Sequence, residues 1–203
     1  MHLTDRPKQV FIAPTLLGQV MLHRFAVAFL LLLSVSVATP ASAQALGGLE
    51  LRGGIYGHSV DGADGVHLNR IEDVNFEALF SLPQLDSFIW LGQVRPHVGA
   101  TINMGGRESM AYAGLSWTVP LGSTFFVEGA FGGAIHNGEL HNAVDPMRSL
   151  GCPVLFHESV SLGANLTNNA SIMVTAEHAS HAGLCGPDNR GLTNVGVRLG
   201  FKF

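Results

Sequence analysis

An antiparallel transmembrane β-barrel of about eight strands, behind a removable export segment, is the fold this 203-residue sequence predicts. Three observations carry the prediction. Apolar and polar residues alternate with period two through most of the chain after residue 44, in runs broken by Gly, Asn, Asp and Pro. Only 13% of residues are charged, against roughly 25% in a typical soluble domain, and 25 are Gly. The alternating runs are about ten residues long, the span of a tilted membrane strand.

Residues 1–43 read as the export segment, with 21–43 its signal peptide and 1–20 dispensable. Met21-Leu22-His23-Arg24 is a basic start, Phe25 to Ala38 an apolar run, and Ala41-Ser42-Ala43 a small-residue cleavage pattern. The apolar run falls short of the ~20 residues of a spanning helix. Removing it takes away Arg6, Lys8, Arg24 and Asp5, leaving residues 44–203 as one barrel with a balance of −6. A net-acidic chain without a Lys/Arg cluster is not built for nucleic acid. The composition also excludes a disordered acidic chain, a coiled coil and a disulfide-dense miniprotein.

The first strand sets Leu49, Leu51, Gly53 and Ile55 against Glu50, Arg52 and Tyr56, and Asp61 to Gly65 makes a loop. The second opposes Val74, Phe76, Ala78 and Phe80 to Asn75 and Glu77. The third opposes Val94, Pro96, Val98, Ala100 and Ile102 to Arg95, His97 and Asn103. The fourth opposes Ala111, Ala113, Leu115, Trp117 and Val119 to Tyr112, Ser116 and Thr118. The fifth, near 124–136, opposes Phe125, Val127, Phe131 and Ile135 to Glu128 and His136, and a polar loop follows to Cys152. The sixth runs near 154–166, the seventh near 171–180 and the last near 193–203. Alternation alone fits a soluble, lipid-carrying barrel with its apolar face inward as well as a membrane barrel with that face outward. Short turns at 120–123 and 167–170, set between longer polar loops, favour the membrane form. So does the amphipathic last strand closed by Phe203, which resembles the terminal signature of such barrels.

Counted up and down from a periplasmic N-terminus, Cys152 and Cys185 both reach the outer rim. Export favours a disulfide tying two outer loops, with free buried thiols as the alternative. His178 and Ser180 share the parity of Ile172, Val174 and Ala176, the lipid side, and are neighbours on it. Imidazole beside hydroxyl is the minimum for nucleophilic ester cleavage. Two polar residues resting at the membrane boundary would read alike.

The stretch His178-Ala179-Ser180-His181-Ala182-Gly183, followed by Pro187-Asp188-Asn189-Arg190-Gly191 and the aromatic-ended strand, resembles the lipid A 3-O-deacylase (PagL-like, acyloxyacyl hydrolase) family of outer-membrane barrels. Gly132 to Gly138 is also similar to members of that family. The resemblance implies an esterase that removes the 3-hydroxyacyl chain at position 3 of lipid A. His178 would be the base, Ser180 the nucleophile, and Gly183 a backbone donor to the oxyanion. Lipid A or lipopolysaccharide would be the substrate, the Gram-negative outer membrane the location, and no metal or cofactor is needed. A homodimer stays open.

Two positions depart from the family pattern. His181 stands where the family has the oxyanion Asn; a neutral imidazole could still donate one hydrogen bond. Thr193 stands where archetypal members carry the orienting Glu, and can accept a hydrogen bond but carries no charge. Glu177 points to the other face, whereas Glu158 shares the lipid-facing parity of Val154, Phe156 and Val160. The tight turn at 167–170 must preserve facing, so a register summing to 336 sets Glu158 opposite His178, and one summing to 338 opposite Ser180. Glu158 is therefore expected to replace the missing acid; the bland alternative leaves it in water above the bilayer. His136, His141 and Asp145 match no metal spacing and read as loop residues. No Gly-x-Ser-x-Gly elbow, Walker loop, zinc signature or dinucleotide fingerprint is present. The rival to the esterase is a non-catalytic barrel, structural or adhesive, in which His181 and Thr193 mark lost activity.

Overall fold

The computed structural model describes residues 48–60, 70–82 and 91–203. The expected export segment and the loop at Asp61 to Gly65 lie outside them. Eight strands follow in order: β1 (Leu49–Gly57), β2 (Ile71–Phe80), β3 (Gln93–Asn103), β4 (Met110–Leu121), β5 (Phe125–His136), β6 (Val154–Asn165), β7 (Ala170–Ser180) and β8 (Leu192–Lys202). Each pairs antiparallel with its sequence neighbours, and β1 meets β8 with Leu51 opposite Phe201, closing the barrel without a free edge. The expected strands are all present; their ends differ by about a residue, as strand ends do.

The two faces of the wall tell which solvent it meets. Ile55, Leu115, Phe131, Ile135, Leu162, Val174, Val197 and Phe201 stand exposed on the outside. Inside, Glu50, Arg52, Glu77, Arg95, Glu128 and Arg198 are buried. Leaving one large apolar side chain in water forgoes roughly 1.5–3 kcal/mol, and here a continuous belt of them is uncovered. Hydrocarbon removes that penalty. The inverted pattern makes this a transmembrane barrel and removes the lipid-carrying alternative, which needs the apolar face inside.

The lumen is packed with paired charge. Arg52 bonds Glu128 at 2.5 and 2.9 Å, Glu50 at 2.7 Å and Glu77 at 3.2 Å. Arg198 donates to Glu77 at 2.7 Å and to the hydroxyls of Thr175 and Ser161. Two interior rings lie flat over glycines of adjacent strands, Phe126 over Gly163 and Tyr56 over Gly196, where any Cβ would overlap the ring. The interior is a plug of side chains rather than an open channel.

β1, β3, β5 and β7 end at one rim of the barrel, and β2, β4 and β6 at the other. At the first end the mouth is sealed by a buried network. His58 Nδ1 meets Asp73 at 2.9 Å and Nε2 meets Glu108 at 3.1 Å; Glu108 also accepts from the Arg148 amide. Arg148 in turn donates to the carbonyl of Gly191 at 2.9 Å, and the Ser59 amide donates to Asn194.

Burial works against a charged His58, but its hydrogen bonds to Asp73 and Glu108 outweigh it and hold the imidazole above its usual pKa. Burial likewise opposes a charged Glu108, and bonds from His58 and the Arg148 amide hold it below the carboxylate range. His58 thus stabilises the cap fully below about pH 6.5, and that contribution is lost as pH rises through its raised value. Glu108 contributes above about pH 4.3, and its share is lost as pH falls through its lowered value. Amide exchange in the 137–153 loop is expected to be slowest, after correction for intrinsic rates, between these limits and to accelerate on either side. A flat profile would show that this network does not hold the cap.

Candidate active site

β7 delivers the site because its two faces have different surroundings. Met173, Thr175, Glu177 and Ala179 are buried inward, while Ile172 and Val174 are exposed outward. His178 and Ser180 continue the outward row and are half-buried. The register with β6 sums to 336: Glu158 lies opposite His178, and Phe156 opposite Ser180. On the other side, Thr193 of β8 lies opposite His178.

The hydrogen bond on His178 comes from that second side. Its Nδ1 is 2.7 Å from the Thr193 hydroxyl, while no hydrogen bond or ion pair reaches Glu158 among the described residues. Glu158 is in register with His178, yet the bond goes to Thr193. Gly191 packs on the edge of the His178 ring at Cε1, so a side chain there would push the imidazole off its hydroxyl partner. Glu177, as its parity requires, turns inward and accepts from Asn194 at 2.9 Å.

Beyond Ser180 the chain turns sharply, with Ala182 at φ 50° and Gly183 at φ 81°; an L-residue such as Ala182 enters this region at a cost. The Leu184 amide closes the turn on the His181 carbonyl at 2.9 Å. The amides of Ala182 and Gly183 take no partner among the described residues and sit on the exposed side.

His181 is buried at 1% exposure and works inside the loop. Its Nδ1 accepts from the Cys185 amide at 3.2 Å, so the ring proton lies on Nε2, which donates to the Asp188 carbonyl at 2.7 Å. The one ring N–H is therefore occupied within the loop. Cys152 and Cys185 are joined in a disulfide, which ties the same loop to the start of β6. These two sulfurs and His181 are also the group of metal-ligand type among the described residues, within 4.8 Å of one another. With the sulfurs bonded to each other and both ring nitrogens occupied, what they build is a stapled loop. His136 donates to the Cys152 carbonyl at 2.6 Å and His141 meets Asp188 at 2.7 Å, both as loop ties.

Sequence reasoning passed over Ala182, whose amide stands beside that of Gly183, and Gly191, which seats the imidazole. The small residue before Gly183, Ala182, and the Gly that precedes the last strand were the available signals.

An inverted, closed eight-strand barrel with a His and a Ser on its outer wall defines an outer-membrane β-barrel of the kind that acts on, or rests in, lipid. The second half of this chain, residues 111–202, matches the family model of lipid A 3-O-deacylase (PagL), which shows the resemblance read from the motif. The crystal structure of the outer membrane enzyme PagL is similar at 17% identity, covering 76% of this chain and 99% of that one, with a TM-score of 0.52. The Yersinia pestis outer membrane protein Ail covers 77% and 99% at 12% identity and a TM-score of 0.46. Neisserial surface protein A covers 76% and 96% at 9% identity and a TM-score of 0.45. No curated protein matches the chain.

Proposed function

We propose that this barrel is an esterase that removes the ester-linked 3-hydroxyacyl chain at position 3 of lipid A, with Ser180 as nucleophile and His178 as base. The observation that carries the reading is the outward pair His178 and Ser180, beside a hydroxyl that fixes the imidazole at 2.7 Å. A lipid-facing site suits a substrate that is itself part of the leaflet.

In this mechanism Nδ1–H of His178 donates to Thr193 Oγ1, which leaves Nε2 as the basic nitrogen; no hydrogen bond joins His178 to Ser180 among the described residues, and the two meet through the substrate-bound state. The Ser180 hydroxyl attacks the ester carbonyl and passes its proton to Nε2. The amides of Ala182 and Gly183 take the negative oxygen, a role the His181 side chain cannot share while its N–H serves Asp188. On collapse, the imidazolium protonates the departing sugar oxygen and leaves an acyl-Ser180. Water, deprotonated by His178, then releases the 3-hydroxy fatty acid.

Two substitutions divide the orienting role between the flanks of His178. Losing one neutral hydrogen bond costs about 0.5–1.5 kcal/mol. Thr193→Val is therefore expected to lower kcat roughly two- to tenfold at unchanged KM, with Thr193→Ser restoring it, while Glu158→Gln changes kcat less. The reverse order in initial-rate measurements would return the orienting role to Glu158.

The test of the function itself uses the purified protein reconstituted with lipopolysaccharide. Mass spectrometry should show loss of one 3-hydroxyacyl chain with the wild type and none with Ser180→Ala. Equal loss in both, or none in either, would remove the esterase and leave the non-catalytic barrel. Reaching that membrane requires export, and residues 21–43 are proposed as its signal.

A further inference from the structure

The stretch 181–191 between β7 and β8 carries the amides of Ala182 and Gly183 and the glycine that seats the imidazole, yet it lies outside the strand ladders. It is gripped by five consecutive residues of the neighbouring β5–β6 loop. Arg148 is buried and donates through Nη1 to the carbonyls of Gly191 at 2.9 Å and Arg190 at 3.3 Å. The Ser149 carbonyl accepts from the Arg190 amide at 3.3 Å. Leu150 shares a buried cluster with Ala179 and Leu192, which flank the stretch on either side. Gly151, at φ 76°, lays its backbone against the hydrogen bond from His181 to the Asp188 carbonyl, where a Cβ would overlap both partners. Cys152 is bonded to Cys185.

The gripping segment is itself anchored. The amides of Leu150 and Gly151 donate to the carbonyls of Glu139 and Leu140 at 2.8 and 2.9 Å, and the Arg148 amide donates to Glu108 in the buried cap.

We propose that residues 148–152 form a clasp that positions both working ends of the β7–β8 loop. At one end Arg148 holds Gly191 against the ring of His178. At the other, the Cys152–Cys185 bridge and His181 hold the turn that presents the amides of Ala182 and Gly183. The inference rests on the esterase reading, and Arg148, His181 and the two cysteines are positioning residues in it. Ala182 shows why a clasp is needed: an L-residue at φ 50° is in a costly conformation, and an untied turn relaxes out of it. One anchored segment gripping both ends keeps the base and the oxyanion donors at a fixed spacing, as preorganised donors require. It also gives a use to the His that stands where the family has Asn: its N–H braces the turn instead of meeting the oxyanion.

The experiment measures kcat and KM on reconstituted lipopolysaccharide for wild type, Arg148→Met, Arg148→Lys and wild type reduced with a phosphine. Nitrogen-15 spectra of the histidine rings and of the 182 and 183 amides are recorded on the same samples in lipid nanodiscs. A displacement of ~1 Å costs on the order of 100-fold in rate, so Arg148→Met is expected to lower kcat roughly 10- to 100-fold with KM held within about twofold. Arg148→Lys, which can still donate to the Gly191 carbonyl, is expected to recover about fivefold or more of that loss. Reduction is expected to lower kcat by a factor similar to that of Arg148→Met, reversed on reoxidation. In the spectra, Arg148→Met should disperse the single Nδ1–H tautomer of His178, and reduction should shift the amides of 182 and 183. An unchanged kcat in either the Met variant or the reduced protein, or a raised KM at constant kcat, would overturn the clasp. If Arg148→Met fails to fold, the reduced wild type decides alone. If wild type releases no acyl chain, the esterase reading falls and the spectra decide: the stated changes support the clasp, and unmoved signals overturn it.

Discussion

Ser180→Ala is expected to lower the rate of acyl release by on the order of 10⁴- to 10⁶-fold, because it removes the atom that forms the new bond. His178→Ala should cost a similar factor: without the base, the hydroxyl at neutral pH is too weak a nucleophile. The double substitution is expected to be no slower than either single one, within about tenfold, since the pair acts as a unit. Initial rates on reconstituted lipopolysaccharide measure all three, with heat-modifiable migration on gels checking that each barrel is folded. Additive losses, or a Ser180→Ala protein within tenfold of wild type, would show that these residues do not share one proton transfer.

Glu77→Ala is expected to destabilise the barrel by about 3–5 kcal/mol, the usual result of stripping one partner from a buried ion pair. Glu77 accepts from Arg198 at 2.7 Å, from Arg52 at 3.2 Å and from His97 Nδ1 at 2.8 Å. All these groups are buried, so no water stands ready to replace the carboxylate. Arg198 would be left with hydroxyl partners alone, whereas Arg52 keeps Glu50 and Glu128. Much of the loss is therefore expected to come through Arg198, and Glu77→Ala combined with Arg198→Met should recover part of it. Urea unfolding from lipid vesicles, followed by tryptophan fluorescence, gives the comparison. A change below about 1 kcal/mol would mean that the lumen pairs are solvated and weak.

Several features were legible before any coordinates because strand periodicity allows few alternatives. The outward facing of His178 and Ser180 follows from parity with Ile172 and Val174, since side chains alternate strictly along a strand. That Glu158 lies opposite either His178 or Ser180 follows once the turn after β6 is short, because only even-to-even registers preserve facing; the structure takes the first of these. What this reasoning did not reach was the choice between the flanks of His178. Thr193 and Glu158 are both ladder neighbours, and which of them meets Nδ1 depends on the rotamer that Gly191 permits.

The loops were the least readable part. His181 looked like a donor to the oxyanion, yet its ring is folded into its own loop, held by the Cys185 amide and the Asp188 carbonyl. Nothing periodic governs such a turn.

Alternation, turn residues and strand length by themselves determined about eight antiparallel strands and which residues share the apolar face, because side chains alternate strictly along a strand. That this face looks outward, into hydrocarbon, was decided by the closed structure. Closure and side-chain packing alone decided the rest. They brought Glu77 within reach of Arg198, which lies on a strand that is not its neighbour, set a hydroxyl rather than a carboxylate against the imidazole, and folded the disulfide-tied loop over the wall. Such contacts are set by distances across the barrel, and no local pattern along a strand carries them.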